Sequence, residues 1–190
     1  MFDKKIVLGS ASPRRKQLLE QLDVKCEVRK KEVEEDYPAN LSPHDVPVYL
    51  AELKAQPLIP HLTENEVLLT SDTVVVLEDQ VLEKPANSEA AFDMLTRLSG
   101  KMNEVVTGVY LRSQEDTASF YVSSQVFFKA LKTEEIEYYI EHYRPFDKAG
   151  AYGIQEWIGQ IGVERISGCF YNVMGLPVQK VWEVLNARFA

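Results

Sequence analysis

Residues 5–22 read KIVLGSASPRRKQLLEQL, and this stretch decides the class of fold. Lys5–Leu8 is short and mostly apolar, which predicts a buried strand. Gly9-Ser10-Ala11 then breaks the run. Ser12 has a side chain suited to capping a helix, and Pro13 suits the first helical position. Leu18, Leu19 and Leu22 follow on one helical face. A strand that turns tightly into a helix opens a chain of mixed α and β structure.

Working outward, residues 24–30 suggest a second strand, and 30–40 (KKEVEEDYPAN) a charged loop. Ser42-Pro43 repeats the cap-and-proline signature, with Val46, Leu50 and Leu53 at helical spacing. Residues 66–77 (EVLLTSDTVVVL) predict a buried strand interrupted by Thr70-Ser71-Asp72-Thr73. Residues 78–80 read as a turn before 81–85. A helix over 88–98 places Phe92, Leu95 and Leu98 inward and stops at Gly100. Residues 103–112 and 119–131 predict two long antiparallel strands. Thr133 is expected to cap a helix carrying Ile136, Tyr139, Ile140 and Tyr143. Pro177 opens a final helix with Val178, Val181, Val184, Leu185 and Phe189 inward. Six of the nine glycines fall within 150–175, which predicts tight turns there. The order lacks strict alternation of strand and helix, so a mixed sheet flanked by helices is expected. The length of 190 residues suits one domain, or two small lobes sharing a core.

Composition limits the function. Hydrophobic residues make up 45% and charged residues 26%, values that support a packed core. No apolar run approaches the roughly 20 residues that cross a bilayer. The N-terminal residues do not read as a signal peptide, so a cytosolic protein is expected. Cys26 and Cys169 are too few for a disulfide framework and are expected to be core thiols. The 21 basic and 29 acidic side chains give a net charge of −8. That disfavours a broad nucleic-acid footprint but allows a small anion held by local basic groups. His44, His61 and His142 are scattered, which argues against a His-rich zinc site and a Ser-His-Asp triad.

The turn at 9–16 could bind an anion. A helix N-terminus offers free N–H groups, Ser10 and Ser12 add hydroxyls, and Arg14 and Arg15 add guanidinium groups where they oppose the helix dipole. The same residues also fit a capped helix with solvated arginines. The pattern is not a Walker A loop. Asp72 either ends a strand at a turn or points into a cleft. Glu32, Glu34, Glu35 and Asp36 form a charge run from which spacing selects no member. Lys84 and Lys148 each adjoin a chain-breaking residue. Gln155 could be a structural amide or could pair with a base edge.

Seven segments taken in order resemble the Maf family of nucleotide pyrophosphatases. They are VLGSASPRRKQLLEQL (7–22), LAELKA (50–55), SDTVV (71–75), LEKP (82–85), TGV (107–109), DKAGAYGIQ (147–155) and NVMGLP (172–177). The resemblance implies an ITPase-like α/β fold spanning 1–190 as one domain, with a central mixed sheet and two lobes around a cleft. It implies metal-dependent hydrolysis of a nucleoside triphosphate, by water attacking the α-phosphorus, to the monophosphate and pyrophosphate. By position it assigns Asp72, Glu35 and Lys84 to catalysis, and Glu35 and Asp72 to a Mg²⁺ or Mn²⁺ ion. It assigns Ser10, Ser12, Arg14, Arg15, Lys54, Thr73, Lys148 and Gln155 to substrate binding. Arg14, Thr73 and Gln155 match the subgroup acting on dTTP and UTP.

Asn103, Arg144 and Phe127-Phe128 depart from the family's usual residues. The expected partners are the nucleotide and a second copy of the chain as a homodimer, with no nucleic acid and no membrane. The rival reading is a nucleotide-binding regulator of cell division or septum formation without useful turnover. Asp72 and Glu35 weigh against it, because carboxylates beside a triphosphate help only where a metal intervenes. An RNA-binding module is disfavoured by the −8 charge and by the lack of a basic, aromatic-studded face.

Overall fold

A computed structural model describes residues 2–190. The chain is mixed α/β, and among the described residues a mixed seven-stranded sheet runs through it. The strands are β1 (Lys5–Leu8), β2 (Cys26–Val28), β3 (Glu66–Leu77), β4 (Gln80–Leu82), β5 (Met102–Arg112), β6 (Thr117–Phe128) and β7 (Val163–Ser167). Their order is β2-β1-β3-β5-β6-β7, with β4 paired to β3. β5 and β6 are neighbours joined by four residues, a connection too short for anything but an antiparallel pair.

The chain divides into two compact units. The first comprises the residues up to Asp72, Thr107–Val122 and Gly175–Ala190. In it β1 pairs in parallel with both β2 and β3, setting Ile6 opposite Cys26 and Val67. Ile6, Val7 and Leu8 are fully buried, as a strand with parallel neighbours on both sides requires. Helices α1 (Pro13–Glu20) and α2 (Val46–Ala55) belong to this unit. Val7, Ala51, Ala55, Leu58, Leu68 and Tyr110 form its core. Ser12 caps α1 as expected. The helix ends at Glu20, before Leu22.

Two expectations are corrected here. Ser42-Pro43 does not open α2. The Ser42 hydroxyl instead donates to Asp45 Oδ2 at 2.7 Å, closing a turn, and the helix begins at Val46. Strand β3 is not interrupted by its polar stretch. The Thr70 hydroxyl donates to the Ala51 carbonyl at 2.6 Å, and Asp72 has a cationic partner on the same helix. With Thr70 and Asp72 paired, these two polar side chains are accommodated within a continuous strand.

At the edge of this unit Glu66 is nearly buried and is held by Arg29, which also pairs with Glu27. The bond from Arg29, helped by the Thr63 N–H, holds the Glu66 carboxyl down from 4.5 to about 2. A carboxylate depressed by folding stabilises the fold fully above its unfolded value, and that stabilisation is lost as pH falls toward 2. We therefore expect the urea midpoint to fall between pH 4.5 and about 2. Glu66→Gln should flatten that part of the profile. An unchanged slope in the variant would remove Glu66 as its source.

The second unit comprises Thr73–Val106 and Ser123–Met174. Here β3 pairs antiparallel with β4, and β6 antiparallel with β7. Helix α3 spans Ser88–Leu98, as its apolar spacing predicts, with the Asn87 side chain capping it by accepting from the Ala90 N–H at 2.9 Å. Helix α4 (Thr133–Tyr143) starts one residue earlier than a Thr133 cap would give. Lys132 is the cap, and its N–H donates to the Glu135 carboxylate at 2.9 Å. Strand β6 ends at Phe128 rather than 131. Helices α5 (Trp157–Gly162) and α6 (Phe170–Met174) and strand β7 fill the glycine-rich region. Leu77, Leu95, Leu98, Val126, Tyr139 and Ile158 form this unit's core.

The departure at Asn103 is structural. Its buried amide donates to the Val126 carbonyl and accepts from the Tyr152 hydroxyl, at 3.3 and 3.0 Å. In the first unit, α7 (Val178–Val184) continues as a wider turn over Leu185–Phe189, with Leu185 and Phe189 buried.

Candidate active site

In the first unit the turn between β1 and α1 lies close against β3. A Cβ at Gly9 would stand 2.5 Å from the Thr70 methyl, so the turn needs glycine there. Ser10 Oγ accepts from the Ser12 N–H at 3.2 Å, and Ser12 Oγ caps the helix through the Arg15 N–H at 3.4 Å. Arg14 is half-buried. Arg15 turns inward: its Nε donates to the Gly175 carbonyl and an Nη to the Ser71 carbonyl, both at 2.8 Å. It clasps the turn to β3 and to the start of the C-terminal segment. Burial pushes the Arg15 guanidinium down from its usual value, with Arg14 adding to the fall and Asp72 and Glu35 opposing it.

Side chains alternate along a strand, so Thr70 and Asp72 share one face of β3. Ala51 and Lys54 are three apart on α2 and share one face of that helix. The first pair meets the second. Thr70 bonds Ala51, and the Lys54 Nζ donates to Asp72 Oδ1 at 2.6 Å. Glu35 comes from the loop and puts its Oε2 at 2.9 Å from the same Nζ. Lys54 and Asp72 are largely buried, while Glu35 is half-exposed. Of the charge run 32–36, Glu35 is the member that reaches Lys54; Glu32 pairs with Lys30 on the surface. Ser10, Arg15, Ser71, Asp72, Lys54 and Glu35 thus form one connected set. No group of three or more His, Cys, Asp or Glu suited to a metal occurs among the described residues.

The remaining expected residues lie in the second unit. Thr73 follows Asp72 along β3 and is half-buried, and Lys84 is exposed after β4. Lys148 is nearly buried and pairs with Asp147 at 2.7 Å and Glu156 at 3.0 Å. Gln155 is half-buried in the turn before α5. Sequence reasoning missed Glu156 and the polar role of Tyr139. The Tyr139 hydroxyl donates to Glu156 and accepts from the Gly153 N–H at 3.1 Å. Burial, reinforced by Glu156, pushes the Tyr139 phenol well up. A Cβ at Gly153 would stand 2.7 Å from the Glu156 carboxyl carbon, so a side chain there would press on the Glu156 carboxylate. The available signal was Glu156's place one residue past DKAGAYGIQ; Tyr139 was hidden among inward-facing apolar residues. Asn172 of NVMGLP is a buried strut that donates to the Val105 carbonyl and to Ser124 Oγ.

Comparison with known proteins identifies the family. Residues 5–188 match the profile of the family described as Maf-like protein. A dTTP/UTP pyrophosphatase of Parabacteroides distasonis is 50% identical over 183 residues, covering 96% of this chain and 95% of that one. One from Porphyromonas gingivalis strain ATCC 33277 is 50% identical, covering 96% and 93%. Among solved structures, the Staphylococcus aureus Ham1 protein superimposes with a TM-score of 0.45 at 16% identity, over 66% of this chain and 72% of that one. Among the described residues no helix is long and apolar enough to cross a membrane. With the profile running over nearly the whole chain and half of its residues shared with these relatives, the chain belongs to the Maf-like family.

Proposed function

We propose that this chain hydrolyses dTTP and UTP to the monophosphate and pyrophosphate. The observation that carries the reading is the pair of carboxylates, Asp72 and Glu35, on one lysine, tied through Ser71 and Arg15 to a helix N-terminus bearing Ser10, Ser12 and Arg14. The names of the relatives supply the substrates. Ser10, Ser12 and Arg14 bind phosphate oxygens at the positive, N-terminal end of α1. Lys54 adds positive charge for a triphosphate, whose cleavage depends mainly on positioning and electrostatics. Within the second unit, Lys84 and Lys148 are the lysines that the family resemblance assigns to catalysis and to substrate binding. Arg15 shapes this turn through its backbone bonds.

Asp72 orients the attacking water and takes its proton, and pyrophosphate leaves from the α-phosphorus. The donor set fits Mg²⁺ or Mn²⁺: both carboxylates offer hard oxygens, and Mg²⁺ is commonly held by one or two carboxylates together with substrate phosphates. Glu35 and Asp72 would hold it. When bound, such an ion neutralises charge on the phosphoryl oxygens. Gln155 reads the base: its amide accepts from the N3–H of uracil or thymine and donates to a ring carbonyl, a match that cytosine lacks. A site that only bound nucleotide would gain nothing from two carboxylates beside a triphosphate unless a metal intervened.

The test is a panel of nucleoside triphosphates incubated with the purified chain and Mg²⁺ or Mn²⁺. UTP and dTTP should give monophosphate and pyrophosphate, ahead of CTP, and EDTA should abolish turnover. Diphosphate and orthophosphate as products would refute attack at the α-phosphorus. Full turnover in EDTA would remove the metal.

A further inference from the structure

We propose that Lys54 is a placeholder for the divalent cation, so that nucleotide and cation bind with positive coupling. The inference rests on the reading that Asp72 and Glu35 hold that cation. The Lys54 ammonium stands between these carboxylates, 2.6 Å from Asp72 and 2.9 Å from Glu35. An ammonium and a hard divalent ion seek the same oxygen lone pairs. The charges of Asp72 and Glu35 also act on the buried Arg15 guanidinium, whose own bonds go to the Gly175 and Ser71 carbonyls. Lys54 and Asp72 are only 16% and 12% exposed, which leaves little water to screen the pair.

A free cation must therefore displace Lys54. A triphosphate offers the ammonium another anionic partner, and as Lys54 swings to it the carboxylate oxygens become available. Coupling of this kind is reciprocal: whatever factor the nucleotide adds to cation affinity, the cation adds to nucleotide affinity. The plainer alternative is that Lys54 only pins the 30–40 loop to β3. Under that alternative its removal would not strengthen cation binding.

The experiment measures Mn²⁺ binding to the full chain by electron paramagnetic resonance of the free ion. Without nucleotide, Lys54→Gln should bind Mn²⁺ about tenfold more tightly than the unsubstituted chain, within the usual range of coupling factors. Lys54→Met, which has no donor to either carboxylate, repeats the measurement and should gain at least as much. A protein-free titration gives the Mn²⁺ that α,β-methylene-UTP chelates by itself, and this is subtracted. Adding the analogue should then tighten Mn²⁺ binding by a larger factor in the unsubstituted chain than in Lys54→Gln, where phosphate ligation alone remains. Combining Lys54→Gln with Asp72→Asn should erase the gain, and thermal unfolding checks that each variant is folded.

Equal Mn²⁺ affinity with and without Lys54 would overturn the placeholder. So would a gain that survives Asp72→Asn. If Asp72→Asn alone leaves Mn²⁺ binding unchanged in the presence of the analogue, the assignment of the cation to these carboxylates fails as well. If only the Lys54 arm fails, that assignment stands and Lys54 is a simple ion-pair partner.

Discussion

Asp72→Asn is expected to lower kcat by about 10²–10⁴-fold, the usual cost of losing a general base. The amide keeps the shape of the side chain and still offers Oδ1 to the Lys54 ammonium, which retains Glu35 as its anionic partner. The fold should therefore survive. The negative charge that takes a proton from water, and that serves as a hard ligand, is what disappears. The loss should fall on kcat more than on KM, because Ser10, Ser12 and Arg14 still hold the phosphates. Steady-state release of pyrophosphate and a thermal unfolding curve on the same preparation check both halves. A folded Asp72→Asn protein with near-normal kcat would make Asp72 a strand residue that merely pairs with Lys54.

A large loss of stability is expected from Gly108→Ala. In β5, a Cβ on Gly108 would fall 2.2 Å from the carbonyl carbon of Pro47 and 2.3 Å from the Val48 nitrogen. Those are backbone atoms in the first turn of α2, so no side chain can rotate away. The helix must lift from the strand that it covers. Overpacking a well-filled core costs about 1–3 kcal/mol, occasionally more, and contact with rigid backbone belongs at the top of that range. For a chain of this size the thermal midpoint should fall by about 6–12 °C. The displaced helix carries Lys54, so activity should fall with stability. A midpoint within a degree or two of the unsubstituted protein would show that α2 yields easily, and the packing account of TGV would fail.

How much the sequence made legible differs from segment to segment. The strand–turn–helix at 5–20 and helix α3 were readable because local preference and burial agree there: a serine cap, a proline at the first turn and apolar residues on one face. The start of α2 was misread because Ser42 had two local uses, and its bond to Asp45 closes a turn ahead of the helix. Strand β7 carries little apolar alternation in VERIS, and its pairing with β6 comes from a distant partner. Thr70 and Asp72 looked like an interruption because their partners, Ala51 and Lys54, lie on a helix some 18 residues earlier in the chain.

By itself the sequence determined the class of fold, the capped turn with its arginines, and the ordered segments that mark the family. Those features are written in adjacent residues, where backbone preference and side-chain type act together. Residue spacing left open which carboxylate of the 32–36 run joins Asp72. The family resemblance named Glu35, and the tertiary structure brings that residue to Lys54, which depends on where the loop falls against α2. It also separated the two arginines, drawing Arg15 onto the carbonyls of Ser71 and Gly175, and it revealed Glu156 and Tyr139 behind Lys148. An ion pair or a buried hydrogen bond depends on distance in space, and a single chain read in order does not contain that distance until its elements have packed.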